Sequence, residues 1–261
     1  MPPTPSGASE SESESESGFD APFVFSADGR KSLYFTFDQL QSRMCSAQPA
    51  RLEVDYTRTM MGFLLFDRDP AHIAMIGLGG GSLLKFCYRH LPGTRLTVIE
   101  INPHVIALRH EFEVPDDAAR ITIVCADGAD FVRTPPPPPR YDVLLVDGFD
   151  SQGLPAGLCS QRFYDDCYQT LAREGILVAN LHHDLPDHAV YTARIRQAFD
   201  GNVLEVASKE KSNSILFARR GRRISVDELR QSDPLAHLDP EVRAQLQPEF
   251  SRIGWEIRHA A

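Results

Sequence analysis

Residues 73 to 81 read Ile-Ala-Met-Ile-Gly-Leu-Gly-Gly-Gly, and a second apolar run, Leu96-Thr97-Val98-Ile99, closes on Glu100 roughly twenty residues further on. Few pairings constrain a chain more. Glycines at 77, 79 and 81 let the backbone turn sharply off a buried strand and approach a ligand with no Cβ in the way. A carboxylate ending the next strand can accept hydrogen bonds from both hydroxyls of a ribose. A glycine triplet alone would also suit a packing turn. With a strand before it, a helix after it and Glu100 in place, a nucleoside-binding turn is the better account.

The rest of the pattern extends that unit. Apolar runs near 72–77, 96–100, 121–125, 141–147, 175–181, 203–207 and 213–218 read as strands, with helical stretches between them at the spacing of βα units. Ser82 is a candidate N-cap for the helix after the glycines, whose free N–H groups would face a ligand's polar end. Ser208 to Asn213 is too short for a crossover helix, so the last two strands should pair antiparallel. The expected class is therefore α/β: a Rossmann-like, class I methyltransferase-type sheet, mostly parallel with an antiparallel terminal strand.

Four parts are expected along the chain. Residues 1–18 carry a strict Ser-Glu alternation and little that can bury apolar surface, so they read as a disordered tail. Residues 19–56 hold short aromatic runs around Ala27-Asp28-Gly29, a hairpin turn, and form a small β element. Residues 57–218 are the nucleoside-binding catalytic domain, with Met60-Met61 and Phe63 to Phe66 as the core face of its first helix, and residues 219–261 a polar helical extension. Pro135 to Pro139 is a stiff spacer, and Arg219 to Arg223 a solvated basic loop.

Composition excludes several classes. The formal charge is −9, four units of it in the Ser-Glu repeat, which argues against a nucleic-acid binder. No apolar run has the length of a membrane span and the N-terminus does not read as a secretion signal, so a cytoplasmic setting is expected. Cysteines at 45, 87, 125, 159 and 167 form no C-x-x-C pair; neither a disulfide framework nor a metal site is expected.

Two further acidic positions sharpen the ligand. Asp127-Gly128 follows the third strand at the edge where open α/β sheets bind ligands, and Asp127 can accept from an adenine amino group as well as cap a helix. Glu100 and Asp127 together suggest an S-adenosyl ligand. The fourth strand runs straight into Asp147-Gly148-Phe149-Asp150. Alkyl transfer to an amine needs a carboxylate that holds the ammonium and then takes its proton, and Asp147 suits that base role with Asp150 assisting. Asn180 sits beside the same edge, as an amine ligand or a partner of strand-end backbone groups, and at most one of His182 and His183 can face the pocket.

The stretch from Ile73 to Leu181, with Gly-Leu-Gly-Gly-Gly-Ser, Val-Ile-Glu-Ile-Asn, Ala-Asp-Gly and Val-Asp-Gly-Phe-Asp, resembles the spermidine synthases, the polyamine aminopropyltransferases. The resemblance implies transfer of an aminopropyl group from decarboxylated S-adenosylmethionine to an amine such as putrescine, without a metal, usually in a homodimer. It implies Glu100 as the ribose acid, Asp127 as the adenine contact, Asp147 as the catalytic acid with Asp150 the second, and Gln41 and Tyr56 framing the two substrates. The departures are Ser82 in place of an Asp that would meet the donor's amine, Thr57-Arg58 after Tyr56, Gln161 in place of an amine-binding Glu, and Lys209-Glu210-Lys211 before the last strand. Ser82 removes a negative charge that would repel the carboxylate of intact S-adenosylmethionine. These departures assign the chain to a divergent short branch and keep two alternatives open: a methyltransferase using the intact donor, and a non-catalytic nucleoside-binding protein.

Overall fold

The computed structural model describes residues 19–37, 40–134, 140–150, 152–210, 212–230 and 233–259. The Ser-Glu tail and the proline run lie outside the described residues. An N-terminal antiparallel sheet is built from β1 (Phe23–Ala27), β2 (Arg30–Tyr34) and β3 (Leu40–Cys45), in that order. Asp28 and Gly29 turn β1 into β2 with φ of 50° and 70°, the left-handed pair that a two-residue hairpin needs to match strand twist.

The remaining elements are α1 (Asp55–Met60), a 3-10 turn over Met61–Leu65, β4 (His72–Ile76), α2 (Ser82–His90), β5 (Arg95–Glu100), α3 (Pro103–Ala107), β6 (Ile121–Cys125), α4 (Gly128–Arg133), β7 (Tyr141–Val146), α5 (Gln161–Thr170), β8 (Leu171–His182), α6 (His188–Ala198), β9 (Val203–Ala207), β10 (Asn213–Arg219) and α7 (Pro240–His259). They form a seven-stranded sheet ordered β6-β5-β4-β7-β8-β10-β9. β4 pairs in parallel with both β5 and β7, and β10 runs antiparallel between β8 and β9. Chain order reverses at β4, so the carboxyl ends of β4, β5 and β7 open on one crevice.

Strands buried on both faces read as continuous apolar runs, and their alternation divides the core. Ile73, Met75, Val143 and Leu145 face one layer with Phe63, Phe86 and Phe217; Ala74, Ile76, Leu144 and Val146 face the other with Phe163, Tyr164 and Phe199. The C-terminal segment, polar in composition, puts Leu246, Phe250, Ile253 and Ile257 into the first layer. Ile253 packs so closely on Gly62 that a Cβ there has no room.

Three expectations need correction. Ser82 is the first residue of α2 and not its cap: Gly81, at φ 67°, is the N-cap, with no side-chain cap bond. β8 begins at Leu171, upstream of Gly175, because Leu171 already pairs with Tyr141 and the ladder resumes at Ile176 opposite Val143 after an irregularity in which Glu174 takes a left-handed φ of 68°. The basic cluster is a solvated loop only over Gly221, Arg222 and Arg223, which are exposed; Arg219 is buried beside the Phe66 ring, and the Arg220 Nη1 donates to the carbonyl oxygens of Leu171 and Tyr168 at 2.6 and 3.1 Å, satisfying groups at the end of α5.

Candidate functional site

A cavity of about 800 Å³ lies at the carboxyl ends of β4, β5, β6, β7 and β8, roofed by the N-terminal sheet and α1. Gln41, Tyr56, Gly77, Gly79, Ser82, Glu100, Asp127, Gly128, Asp147, Asp150 and Asn180 all line it. Gly81 stands behind this wall as the cap of α2, and Gln161 is the one expected side chain directed elsewhere: its amide donates to Asp165 Oδ1 and to the Arg194 carbonyl. Its place at the first turn of α5, on the helix layer, explains the difference.

One half of the cavity is built from strand ends and their adjoining backbone. Gly77 leaves β4 at φ 97°, and a Cβ there would fall on the Asp147 carbonyl oxygen, so only glycine lets this turn pass β7. Glu100 Oε2 accepts the Leu78 N–H at 2.9 Å and Oε1 accepts the Asn102 N–H at 2.9 Å. Burial raises the Glu100 carboxyl above the ordinary range, opposed by those backbone donors. Asn102 in turn caps α3 through His104 N–H and donates to the Asp20 carbonyl, which brings Phe19 and Asp20 to the cavity rim. Asp127 caps α4 through Oδ1, which accepts from Ala129 and Asp130, and this leaves Oδ2 for the cavity. Gly128 lies too close to Ile76 and Leu158 to carry a side chain. On the opposite wall, the Ser82 and Ser42 hydroxyls lie 3.2 Å apart, a neutral pair where a carboxylate would be charged.

The other half converges on Asp147. The Tyr56 hydroxyl donates to Asp147 Oδ2 at 2.9 Å, and the Asn180 amide donates to Oδ1 at 2.8 Å. Burial pushes the Asp147 carboxyl up from its ordinary value, while the Asn180 and Tyr56 hydrogen bonds and the nearby His182 pull it down. Burial, reinforced by the Asp147 charge, holds the Tyr56 phenol well above its ordinary value, so it remains a donor. The His182 ring stacks on Phe149, centroids 4.2 Å apart, and burial lowers its pKa against the pull of the Asp147 and Asp184 charges; this aromatic pair lines the cavity near Asp147. Asp150 is exposed and turns the loop, accepting Gln152 N–H on Oδ1 and exchanging backbone bonds with Gly153.

The Thr57-Arg58 departure also acquires a role. Arg58 pairs at 3.1 Å with the buried Asp55, whose other oxygen accepts the Glu210 N–H, so α1 holds the loop between β9 and β10 over this half. Sequence reasoning missed Asn102, the Phe149 partner of His182, and Asn213, whose amide donates to Asn180 Oδ1 at 2.9 Å. Asn102 follows Glu100 closely enough to have been noticed; Asn213 carries no local signal. Among the described residues no group of three His, Cys, Asp or Glu side chains is placed to hold a metal, and no helix is long and apolar enough to cross a membrane.

Residues 53–209 match the model of the spermine/spermidine synthase domain. A polyamine aminopropyltransferase from Neisseria meningitidis serogroup A is 37% identical over 206 residues, 77% of each chain. Among solved structures, a probable spermidine synthase from Corynebacterium glutamicum superposes with a TM-score of 0.70 at 20% identity, covering 92% of this chain and 90% of that one. Human methyltransferase-like protein 13, in complex with S-adenosylhomocysteine, gives 0.59 at 21% identity, covering 77% of this chain and 93% of that one, a likeness of fold.

Proposed function

The chain belongs to the spermine/spermidine synthase family, and on that premise we propose that it is an aminopropyltransferase of polyamine biosynthesis that uses decarboxylated S-adenosylmethionine as donor and an amine as acceptor. Glu100 holds the donor's ribose hydroxyls, and Asp127 Oδ2 its adenine amino group. Gln41, Gly77, Gly79, Ser82 and Gly128 shape the wall around it, with Gly81 fixing the turn. The acceptor amine enters on the Asp147 side. Asp147 holds the acceptor's ammonium and takes its proton, and the freed amine attacks the aminopropyl carbon bonded to the sulfonium; the new N–C bond forms as the S–C bond breaks, and the sulfur lone pair leaves with neutral methylthioadenosine. The product departs as the secondary ammonium, and Asp147 returns its proton to solvent. Tyr56 and Asn180 orient that carboxylate, Asp150 shapes the loop through which the acceptor enters, and the transfer needs no metal. The setting we assign is a cytoplasmic homodimer, with no nucleic-acid partner and residues 57–218 as the catalytic unit.

The observation that carries this reading is the Asp147 carboxylate, gripped on both oxygens by neutral donors at the mouth of the nucleoside cavity. One observation favours methyl transfer from intact S-adenosylmethionine as the second reading: the neutral Ser82–Ser42 pair, which would not repel the intact donor's carboxylate. Calorimetric titration with both donors, alongside putrescine turnover by the unsubstituted chain and Asp147→Asn, separates them. Preference for the decarboxylated donor, with turnover lost in the variant, is expected. Preference for the intact donor without methylthioadenosine release would overturn aminopropyl transfer.

A further inference from the structure

Asp147 stands at the end of a hydrogen-bond chain in which every member donates the same way. The Ser212 hydroxyl donates to Asn213 Oδ1 at 2.7 Å, Asn213 Nδ2 to Asn180 Oδ1 at 2.9 Å, and Asn180 Nδ2 to Asp147 Oδ1 at 2.8 Å. Asn180 and Asn213 are buried, and Asn213 is pinned at the start of β10, where its N–H donates to the Ser208 hydroxyl and its carbonyl oxygen accepts the Ser208 N–H. We propose that Asn213 is a positioning residue for the reaction, which by donating to the Asn180 amide oxygen keeps the Asn180 N–H₂ turned toward Asp147 and thereby favours its carboxylate form. This rests on the proposal above that Asp147 is the base.

A carboxamide turned over end for end has the same shape and opposite polarity, so packing cannot choose between the two orientations of Asn180; its partners must. Were Asn180 reversed, its oxygen would face Asp147 Oδ1. Two acceptors so close are tolerated only if Asp147 is protonated, and a protonated Asp147 takes no proton from an ammonium. The Asn213 Nδ2 donor excludes that arrangement, because the reversed Asn180 would present its own N–H₂ to it. Reversing Asn213 as well would require the Ser212 hydroxyl to turn from donor to acceptor. The whole relay therefore has two self-consistent directions, and only the observed one matches an ionised Asp147.

The other titratable groups around Asp147 do not substitute for the relay. Tyr56 on α1 grips the opposite oxygen, His182 on β8 acts through space, Asp150 in the loop after β7 is exposed and engaged with Gln152, and Asp55 beside Tyr56 is occupied by Arg58 and Glu210. The relay reaches Asp147 through a loop that α1 clamps, so both sides of the base are held by one closed circuit.

The test is the pH dependence of kcat/KM in the full chain, with methylthioadenosine affinity measured in parallel. Asn213→Asp offers only acceptors to Asn180, so the amide should turn and present its oxygen to Asp147. The acidic limb should move up by about one pH unit, and activity at pH values below the new limb should fall about tenfold. Methylthioadenosine affinity should stay unchanged, because the donor half is not touched. Asn213→Ala removes the directing donor without adding a charge and should shift the limb the same way by less; it decides the question if Asn213→Asp does not fold. Asn213→Gln, which can still donate, should recover part of the shift. A soluble Asn213→Ala or Asn213→Asp with the limb unmoved would overturn the relay while leaving Asp147 as base. An Asp147→Asn control that turns over normally would instead sink the base assignment itself.

Discussion

The two halves of the cavity are built by opposite strategies. In the nucleoside half the two carboxylates are held by backbone N–H groups of the same βα units: Glu100 by one 22 residues away and another 2 residues away, Asp127 by N–H groups 2 and 3 residues on. In the half around Asp147 the partners are side chains 91 and 33 residues away in sequence, Tyr56 and Asn180, and the Asp55–Glu210 clamp beside them itself spans 155 residues. Local construction from strand ends makes a site that tolerates change elsewhere. Convergent construction makes one that depends on the fold, and that can be retuned from a distance by a loop such as residues 208–213.

If the halves are separable, the largest effect should fall on one alone. Asp147→Asn keeps the shape and can still meet Asn180 and Tyr56, yet it cannot accept a proton. Turnover should fall by about 10²- to 10⁴-fold, the usual contribution of a positioned base. Methylthioadenosine affinity should hold within about twofold, equivalent to a few tenths of a kcal/mol. Isothermal titration beside a turnover assay checks both, and a parallel loss of affinity would show that the halves are one unit.

Gly77 is where they touch. A Cβ there meets the Asp147 carbonyl, and φ of 97° is hostile to any other residue, so Gly77→Ala must displace either the glycine turn or the start of the Asp147 loop. Methylthioadenosine binding and turnover should both fall, each by roughly 10- to 100-fold, as expected of about 1–3 kcal/mol of strain shared by the two walls. Loss of only one would show which wall yields.

This difference in construction also decides what could be read from the chain. The glycine turn, Glu100 and Asp127 are legible because strand, turn and carboxylate lie close together in sequence, and the antiparallel end of the sheet follows from a connection too short for a helix. The Asp147 and Asp150 pair is visible as a pattern, with Asp147 as base and Asp150 assisting, but the contrast in their surroundings is not: one is gripped on both oxygens, the other an exposed turn residue, and only the tertiary partners show it. Gln161 misleads for the same reason, since its position in sequence says nothing of which side of α5 it takes. Asn213 and Arg58 act through contacts that no periodicity or spacing encodes, and the core side chains of α7 hide in a segment polar on average.

A smaller effect probes the nucleoside half alone. Glu100→Gln keeps an acceptor for one backbone N–H but brings an amide N–H₂ toward the other, and it weakens acceptance from ribose hydroxyls. The lost charge-assisted bond is worth about 1.5–3 kcal/mol, so methylthioadenosine should bind roughly 10- to 100-fold more weakly. Turnover at saturating donor should change little. A drop in saturated turnover comparable to the loss of affinity would mean that Glu100 also sets the geometry of transfer, contrary to a local role.

The smallest effect expected is that of Tyr56→Phe, and it separates a positioning role from an electrostatic one. The phenol donates to Asp147 Oδ2 and favours the carboxylate, so its loss should raise the Asp147 pKa. The base is active when ionised, which places its working range above that pKa; raising it moves the acidic limb of kcat/KM to higher pH. A neutral donor on a carboxylate sits at the low end of the charge-assisted range, about 1.5 kcal/mol, so the limb should shift by about one unit and activity on its acidic side should fall about tenfold. Well above the limb the variant should approach the unsubstituted chain, because Asn180 still holds Oδ1. No alkaline limb should disappear with the phenol, since burial and the Asp147 charge keep it protonated far beyond its ordinary range. If activity is lost equally at every pH with the limb in place, Tyr56 orients the carboxylate or the acceptor without tuning its charge. The convergent half would then rely on the Asn180 side alone to keep its base ionised.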